Sequence, residues 1–311
     1  MSMSSGLTAA GFAVPDAAID AVLQPHVRAS HAVGSAAWAE LRAKEISNRK
    51  LGLRRWLRRL LRMGRNAREQ LDVRAGYETH WVRQPTLEDY VTGLNDRTLA
   101  VEWRGHGLLL QPQGLRHAHM LYLLAAIDAV KPRRVLEVGC GNCGIILGLA
   151  PLRPDVAFTG LELTEAGIAT GREVQTQPLL PAAFADNSPE PVRDPTAHTR
   201  VELRTGDARA LPFPDRSFDL VYTRLALEQM EQIRPEALRE IARVAARAVV
   251  LIEPWKDFNR ADPGRAYIRR MGYFTGRIAD LRKLGFADAF VPGDVPQKVQ
   301  FNAGPVVAVR P

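Results

Sequence analysis

Upstream of residue 112 the apolar positions follow helical spacing in three places: 18–24, 36–44 and 51–63. Two short apolar runs, 99–103 and 108–110, then flank Arg104-Gly105-His106-Gly107. That pattern predicts a hairpin over about 98–111 with a glycine turn. Downstream the rhythm changes to alternating helix and strand. A helix is expected from about Arg116 to Val130, stopped by Lys131-Pro132. Mostly apolar runs at 135–138, 156–163, 201–203, 218–222, 248–252 and 305–309 read as buried strands, with further helices at 145–150 and 165–175. Such units build an α/β fold, a doubly wound and mostly parallel sheet with helices on both faces. The chain thus divides into a mainly helical N-terminal region, 1–112, and an α/β domain, 113–311.

One stretch interrupts the alternation. Residues 178–199 hold five prolines and little periodicity, so a loop or disordered insertion is expected there. It joins a helix back to a strand, which places it at the end of the sheet remote from a ligand.

Composition adds a few limits. The 311 residues are 46% apolar and 24% charged, the balance of a soluble globular protein. No apolar run is long enough for a transmembrane helix, and the first 25 residues lack the pattern of a signal peptide. With only Cys140 and Cys143, a disulfide scaffold is excluded and a cytoplasmic location is expected. The net charge of +8 is concentrated: residues 49–68 carry nine basic side chains and no acidic one, while the rest of the chain is close to neutral.

Within that segment Leu53, Trp56, Leu57, Leu60 and Leu61 share one helical face, and Arg54, Arg55, Arg58, Arg59 and Arg62 take the other. A basic amphipathic helix over about 50–66 with a tryptophan reads first as a peripheral element on an anionic membrane surface. A plain packed helix is the second reading, and an RNA-binding stripe the third.

The candidate chemistry lies in Glu137-Val-Gly139-Cys140-Gly141-Asn-Cys143-Gly144, which follows a predicted strand and opens a predicted helix. Glycines there permit a tight turn and close approach of backbone to a ligand, and the helix start offers free N–H groups. Nicotinamide-dependent enzymes share this turn, and also share an acidic residue such as Glu162 at the end of the next strand, placed to accept from ribose hydroxyls. Further on come Gly206-Asp207-Ala208 after the third strand, then 211–221 leading into the fourth, then Leu227-Glu228-Gln229.

With these four motifs in order, residues from about 114 to 310 resemble the class I S-adenosylmethionine-dependent methyltransferases, in the subgroup that includes quinone-biosynthesis and small-molecule enzymes. The resemblance implies a Rossmann-like, seven-stranded sheet whose last strand is antiparallel, with 286–291 and 299–309 as the closing hairpin. It implies S-adenosyl-L-methionine as cofactor. Glu137, Gly139, Cys140 and Gly141 would line the methionine part, Glu162 and Leu163 the ribose, Asp207 and Ala208 the adenine, and Thr223 and Arg224 the region near the sulfonium. Two departures stand out: Gln229 occupies a place where a histidine is frequent, and Ala245-Ala-Arg-Ala248 replaces a glycine pair before the fifth strand.

An oxygen acceptor needs its proton removed, and Glu253, Glu228 and His80 are the candidates. Tyr222, Trp255, Tyr267, Tyr273 and Phe274 are candidates for a substrate pocket or for core. Asp219 is expected to serve the fold. Cys140 and Cys143 have no second pair with which to build a zinc site, and no metal is expected. His117 and His119, two apart on a helix, do not face each other. The expected acceptor is a small molecule or a glycan, lipid-linked if the basic helix sits on the inner membrane face; nucleic acid is disfavoured. A nicotinamide-dependent oxidoreductase and a non-catalytic scaffold of the same fold are the alternatives.

Overall fold

A computed structural model describes residues 7–47, 76, 78, 87–92, 97–271 and 273–311. The basic segment 50–66, with Arg54, Arg55, Arg58, Arg59 and Arg62, lies outside the described residues, and so does His80. Among the described residues no helix is long and apolar enough to cross a membrane.

The N-terminal part supplies α1 (Asp16–Leu23), β1 (Val27–Ala32), α2 (Ala36–Ser47), α3 (Leu87–Thr92), β2 (Leu99–Trp103) and β3 (His106–Leu110). The α/β part follows with α4 (Pro112–Val130), β4 (Arg134–Val138), α5 (Ile146–Leu149), β5 (Ala157–Glu162), α6 (Glu165–Gln175), α7 (Ala182–Asp186) and β6 (Glu202–Thr205). It continues with β7 (Phe218–Arg224), α8 (Arg234–Val244), β8 (Ala245–Glu253), α9 (Gly264–Met271), β9 (Asp288–Phe290), β10 (Gln297–Lys298) and β11 (Gly304–Val309).

Seven strands form the main sheet in the order β6-β5-β4-β7-β8-β11-β9. The first five run parallel, and β11 runs antiparallel to both β8 and β9. Strand order reverses between β4 and β7, which opens a crevice at their carboxyl ends where such sheets bind ligands. The central strands are mostly apolar because both faces are covered. On β8, Ala248, Val250 and Ile252 enter one core while Val249 and Leu251 enter the other.

The hairpin β2–β3 forms as expected, but it belongs to a second sheet of order β1-β3-β2-β10. Neither β1 nor β10 was legible as a strand. β1 reads Val-Arg-Ala-Ser-His-Ala, and β10 is two residues long. The expected closing hairpin forms, β9 pairing with β11 in the main sheet, while β10, between them in sequence, pairs with β2, Lys298 opposite Val101. The N-terminal region is thus less purely helical than its sequence suggests.

The proline-rich stretch is ordered and folds as a strap. Phe184 on α7 and Ala197 enter the main core, and His198 is buried between the carbonyls of Pro195 and Gln177 at 3.1 Å each. Arg153, 8% exposed, binds Asp128 at 2.6 Å and Glu190 at 2.8 Å, tying the strap to α4. At the alanine stretch no turn is needed, because α8 ends at Val244 and β8 begins at Ala245. Asp219 accepts the backbone N–H groups of Arg133 and Arg134 at 2.8 and 3.1 Å, a role in the fold.

Candidate active site

The glycine turn leaves β4 with Gly139 at φ +77° and Gly141 at φ +57°, the left-handed region that glycine enters without strain. Gly139 N–H and Cys140 N–H both donate to Leu161 O, at 2.7 and 3.1 Å, and so bind the turn to β5. A Cβ on Gly139 would lie 2.6 Å from Ala226 Cβ, because the loop after β7 packs directly on the turn. A Cβ on Gly167 would meet Gly141 O at 2.6 Å, because α6 approaches the turn equally closely. Buried Arg116 closes the far end, donating to Gly144 O at 2.8 Å.

Glu162 ends β5 beside this turn. Its Oε2 accepts Gly141 N–H at 3.0 Å, and its Oε1 accepts the N–H and hydroxyl of Thr164 at 3.2 and 2.9 Å. Burial raises its carboxyl above the usual range, against those hydrogen bonds. Leu163 is half-buried beside it. Asp207, just beyond β6, takes Arg209 N–H on Oδ1 at 2.8 Å and the Arg209 guanidinium on Oδ2 at 2.7 and 3.0 Å. Ala208 is buried next to it. Gly139, Gly141, Glu162 and Asp207 therefore follow successive strand ends along one edge of the sheet.

Glu137 and Cys140 lie behind the turn. Glu137 is 2% exposed and accepts the Tyr222 hydroxyl at 2.9 Å; burial pushes its carboxyl up to about 7. Cys140 and Cys143 are free and buried, with sulfurs 3.6 Å apart. The Cys143 hydrogen bond pushes the Cys140 thiol well up, followed by burial. A thiol of that character is a poor nucleophile.

The loop after β7 is built on Glu253. Its Oε1 accepts the Thr223 hydroxyl at 2.8 Å and the N–H groups of Ala226 and Leu227 at 3.1 and 3.2 Å; Oε2 accepts Glu228 N–H at 3.3 Å. The residue is fully buried, and burial followed by the Glu228 charge pushes its carboxyl up to about 8. Within this loop Leu225 has φ +54°, a strained value for a branched side chain, and its N–H is anchored on Ile252 O at 2.9 Å. The side-chain bonds of Glu253 run to the end of β7 and to this loop, which it holds from beneath. Thr223 is likewise buried, and Arg224 reaches His119 Nδ1 at 3.2 Å. Glu228 is half-buried, with Gln229 Nε2 donating to it at 2.9 Å.

His117 and His119 point to different partners, His26 at 3.2 Å and Arg224. Of the five aromatic candidates, Tyr222, Trp255 and Phe274 are core. Tyr267 stacks on Phe301, with centroids 4.9 Å apart and planes 3° from parallel, and Tyr273 meets both edge-on. Tyr267 and Phe301, with Leu99 and Pro112, wall a cavity of about 270 Å³ into which Arg97 and Lys298 also project.

Sequence reasoning missed Arg97 and Lys298, and it missed Glu78, whose carboxylate oxygens each accept an N–H at the start of α6, from Glu165 and Ala166, at 3.2 Å. No local pattern marks these residues. They reach the site through pairings distant in sequence.

An open α/β sheet with a glycine turn at its reversal point and carboxylates on the next two strand ends defines a nucleotide-type cofactor site. Residues 136–252 match the family described as a methyltransferase domain. The chain is similar to methyltransferases, with that match covering less than half of its length. It is 30% identical over 171 residues to a ubiquinone/menaquinone biosynthesis C-methyltransferase of Dinoroseobacter shibae, covering 53% of this chain and 60% of that one. It is 30% identical over 122 residues to an ajmaline N-methyltransferase of Rauvolfia serpentina, covering 39% and 35%. The chain thus spans between about a third and three fifths of the length of these relatives. Among solved structures, a magnesium protoporphyrin IX methyltransferase from Synechocystis with bound S-adenosylhomocysteine superposes with TM-score 0.44 at 16% identity, over 63% of this chain and 84% of that one.

The residues present suit S-adenosylmethionine. Gly139 leaves no side chain over the turn, Glu162 and Asp207 are hydrogen-bond acceptors on neighbouring strand ends, and Leu163 and Ala208 are apolar neighbours.

Proposed function

We propose that this protein transfers the methyl group of S-adenosylmethionine to an oxygen of a small-molecule acceptor. The observation that carries this reading is the Gly139–Gly141 turn, tied to β5 through Leu161 O and through Glu162 at 3.0 Å. Glu162 would accept from the ribose hydroxyls and Asp207 from the adenine amino group, while the turn's backbone would hold the methionine part. When bound, the cofactor supplies an activated methyl group on its sulfonium.

The chain's own work is then positioning. Glu253 holds the loop 225–228 against the turn, so that the acceptor side of the crevice is preformed. Glu228, half-buried on that loop, takes the acceptor's proton. Glu253 acts through the loop, as a positioning residue.

Incubation with cofactor labelled in its methyl group and a panel of hydroxylated small molecules tests this. The reading predicts label in an oxygen-bound methyl and stoichiometric S-adenosylhomocysteine. Label on nitrogen or carbon would overturn the oxygen assignment, and no transfer to any acceptor would favour a scaffold.

A further inference from the structure

The cavity beside β10 carries two cations, Arg97 and Lys298. Among the described residues no carboxylate lies within ion-pair distance of Lys298, Arg97 or Arg224. The Lys298 ammonium lies 4.0 Å from the centroid of Phe301, which also stacks on Tyr267 and meets Tyr273 edge-on. Burial pushes this ammonium down to about 8, against the attraction of Glu228. A desolvated lysine resting on an aromatic face is favoured by an added anion, which would return to it the solvation it lost.

The surroundings limit which anion fits. The lining carries two cations, Arg97 and Lys298, and one carboxylate, Glu45, which already accepts the Gln300 amide. The local balance is one positive charge. A phosphate monoester, at about −1.5 to −2 near neutrality, would exceed it. The remaining wall is Leu99, Ala100, Pro112, Tyr267 and Phe301, and a volume of about 270 Å³ is at the small end of ligand pockets. Lys298 also feels the charges of Glu228 and Arg224, which flank the loop packed on Gly139.

Resting on the methyltransferase reading, we propose that this cavity is the acceptor subsite, and that the acceptor is a small planar carboxylate whose charge is held by Lys298 and Arg97 while its ring or conjugated body lies against Tyr267 and Phe301.

The test titrates 4-hydroxybenzoate, and in parallel its uncharged analogue 4-hydroxybenzamide, into protein already saturated with S-adenosylhomocysteine. The carboxylate is expected to bind at least about tenfold more tightly than the amide, a difference of about 1.4 kcal/mol. Lys298→Met should remove that preference while S-adenosylhomocysteine affinity stays within about twofold. Arg97→Gln, an exposed change that keeps the fold, should weaken carboxylate binding by about threefold. Equal affinity for the two probes, no binding of either, or an unchanged preference in both variants would overturn the subsite while leaving cofactor binding in place. Failure to bind S-adenosylhomocysteine would instead remove the reading beneath it.

Discussion

The Thr223 hydroxyl donates to Glu253 Oε1 at 2.8 Å and joins the carboxyl ends of β7 and β8 below the loop that faces the glycine turn. The same oxygen accepts two backbone N–H groups of that loop. A buried carboxylate with this many donors organises backbone, and the strained φ of Leu225 persists because those bonds hold it. Glu253→Ala would leave three N–H groups without acceptors. A loss of about 3–5 kcal/mol in unfolding free energy is expected, measurable by denaturant titration. A loss under about 1 kcal/mol would contradict the loop-holding role.

Glu253 also sets a pH dependence. Its folded-state value, pushed up to about 8, lies above that of the unfolded chain, so the folded state holds the extra proton. This contribution is full below the unfolded carboxylate range and is lost as pH rises through about 8. Glu137, at about 7, acts in the same direction. His117, pushed down to about 4 by burial, contributes above the ordinary histidine range and loses that contribution as pH falls toward 4. The melting temperature should therefore drop between about pH 6.5 and pH 8, and Glu253→Gln should flatten most of that drop. A wild-type melting temperature that rises over this interval would refute the assignment.

Gly139→Ala tests the close approach of two loops. The added Cβ would sit 2.6 Å from Ala226 Cβ at a φ that alanine disfavours. A cost of about 1–3 kcal/mol in stability is expected, with cofactor affinity reduced by more than about tenfold, both measured on the same preparation. Unchanged affinity would show that the turn does not face the cofactor.

Asp207→Ala separates binding from folding. The side chain is half-buried and pairs with Arg209. Stability should change by no more than about 1 kcal/mol, while S-adenosylhomocysteine binding weakens by about tenfold. Equal losses in both would assign Asp207 to the fold.

Much of this was legible beforehand, for a physical reason. Strands such as 134–138 and 218–224 are apolar because both faces are buried, and the glycine turn needs residues that tolerate positive φ. The second sheet was hidden: β1 alternates polar and small residues at an edge, and β10 exists only because Gln297 and Lys298 meet Glu102 and Val101 nearly two hundred residues away. Glu253 illustrates a different limit. At a strand end, a carboxylate that holds a loop and one that takes a proton have the same sequence signature, and only burial and hydrogen bonds distinguish them. The proline-rich strap looked featureless because its order depends on single anchors, Phe184 and the Arg153 pair with Glu190.

Arg153→Ala checks that anchoring. Removing a buried guanidinium that binds Asp128 and Glu190 should cost about 1–3 kcal/mol. It should also speed amide exchange selectively within 178–199. Uniform exchange changes across the sheet would argue against a local strap.

The most direct measurement is calorimetric titration of the purified protein with S-adenosylmethionine, S-adenosylhomocysteine and NADH. A site built on Gly139, Glu162 and Asp207 predicts micromolar binding of both sulfur ligands and no heat from NADH. Binding of NADH without the sulfur ligands would contradict the account and return the glycine turn to an oxidoreductase.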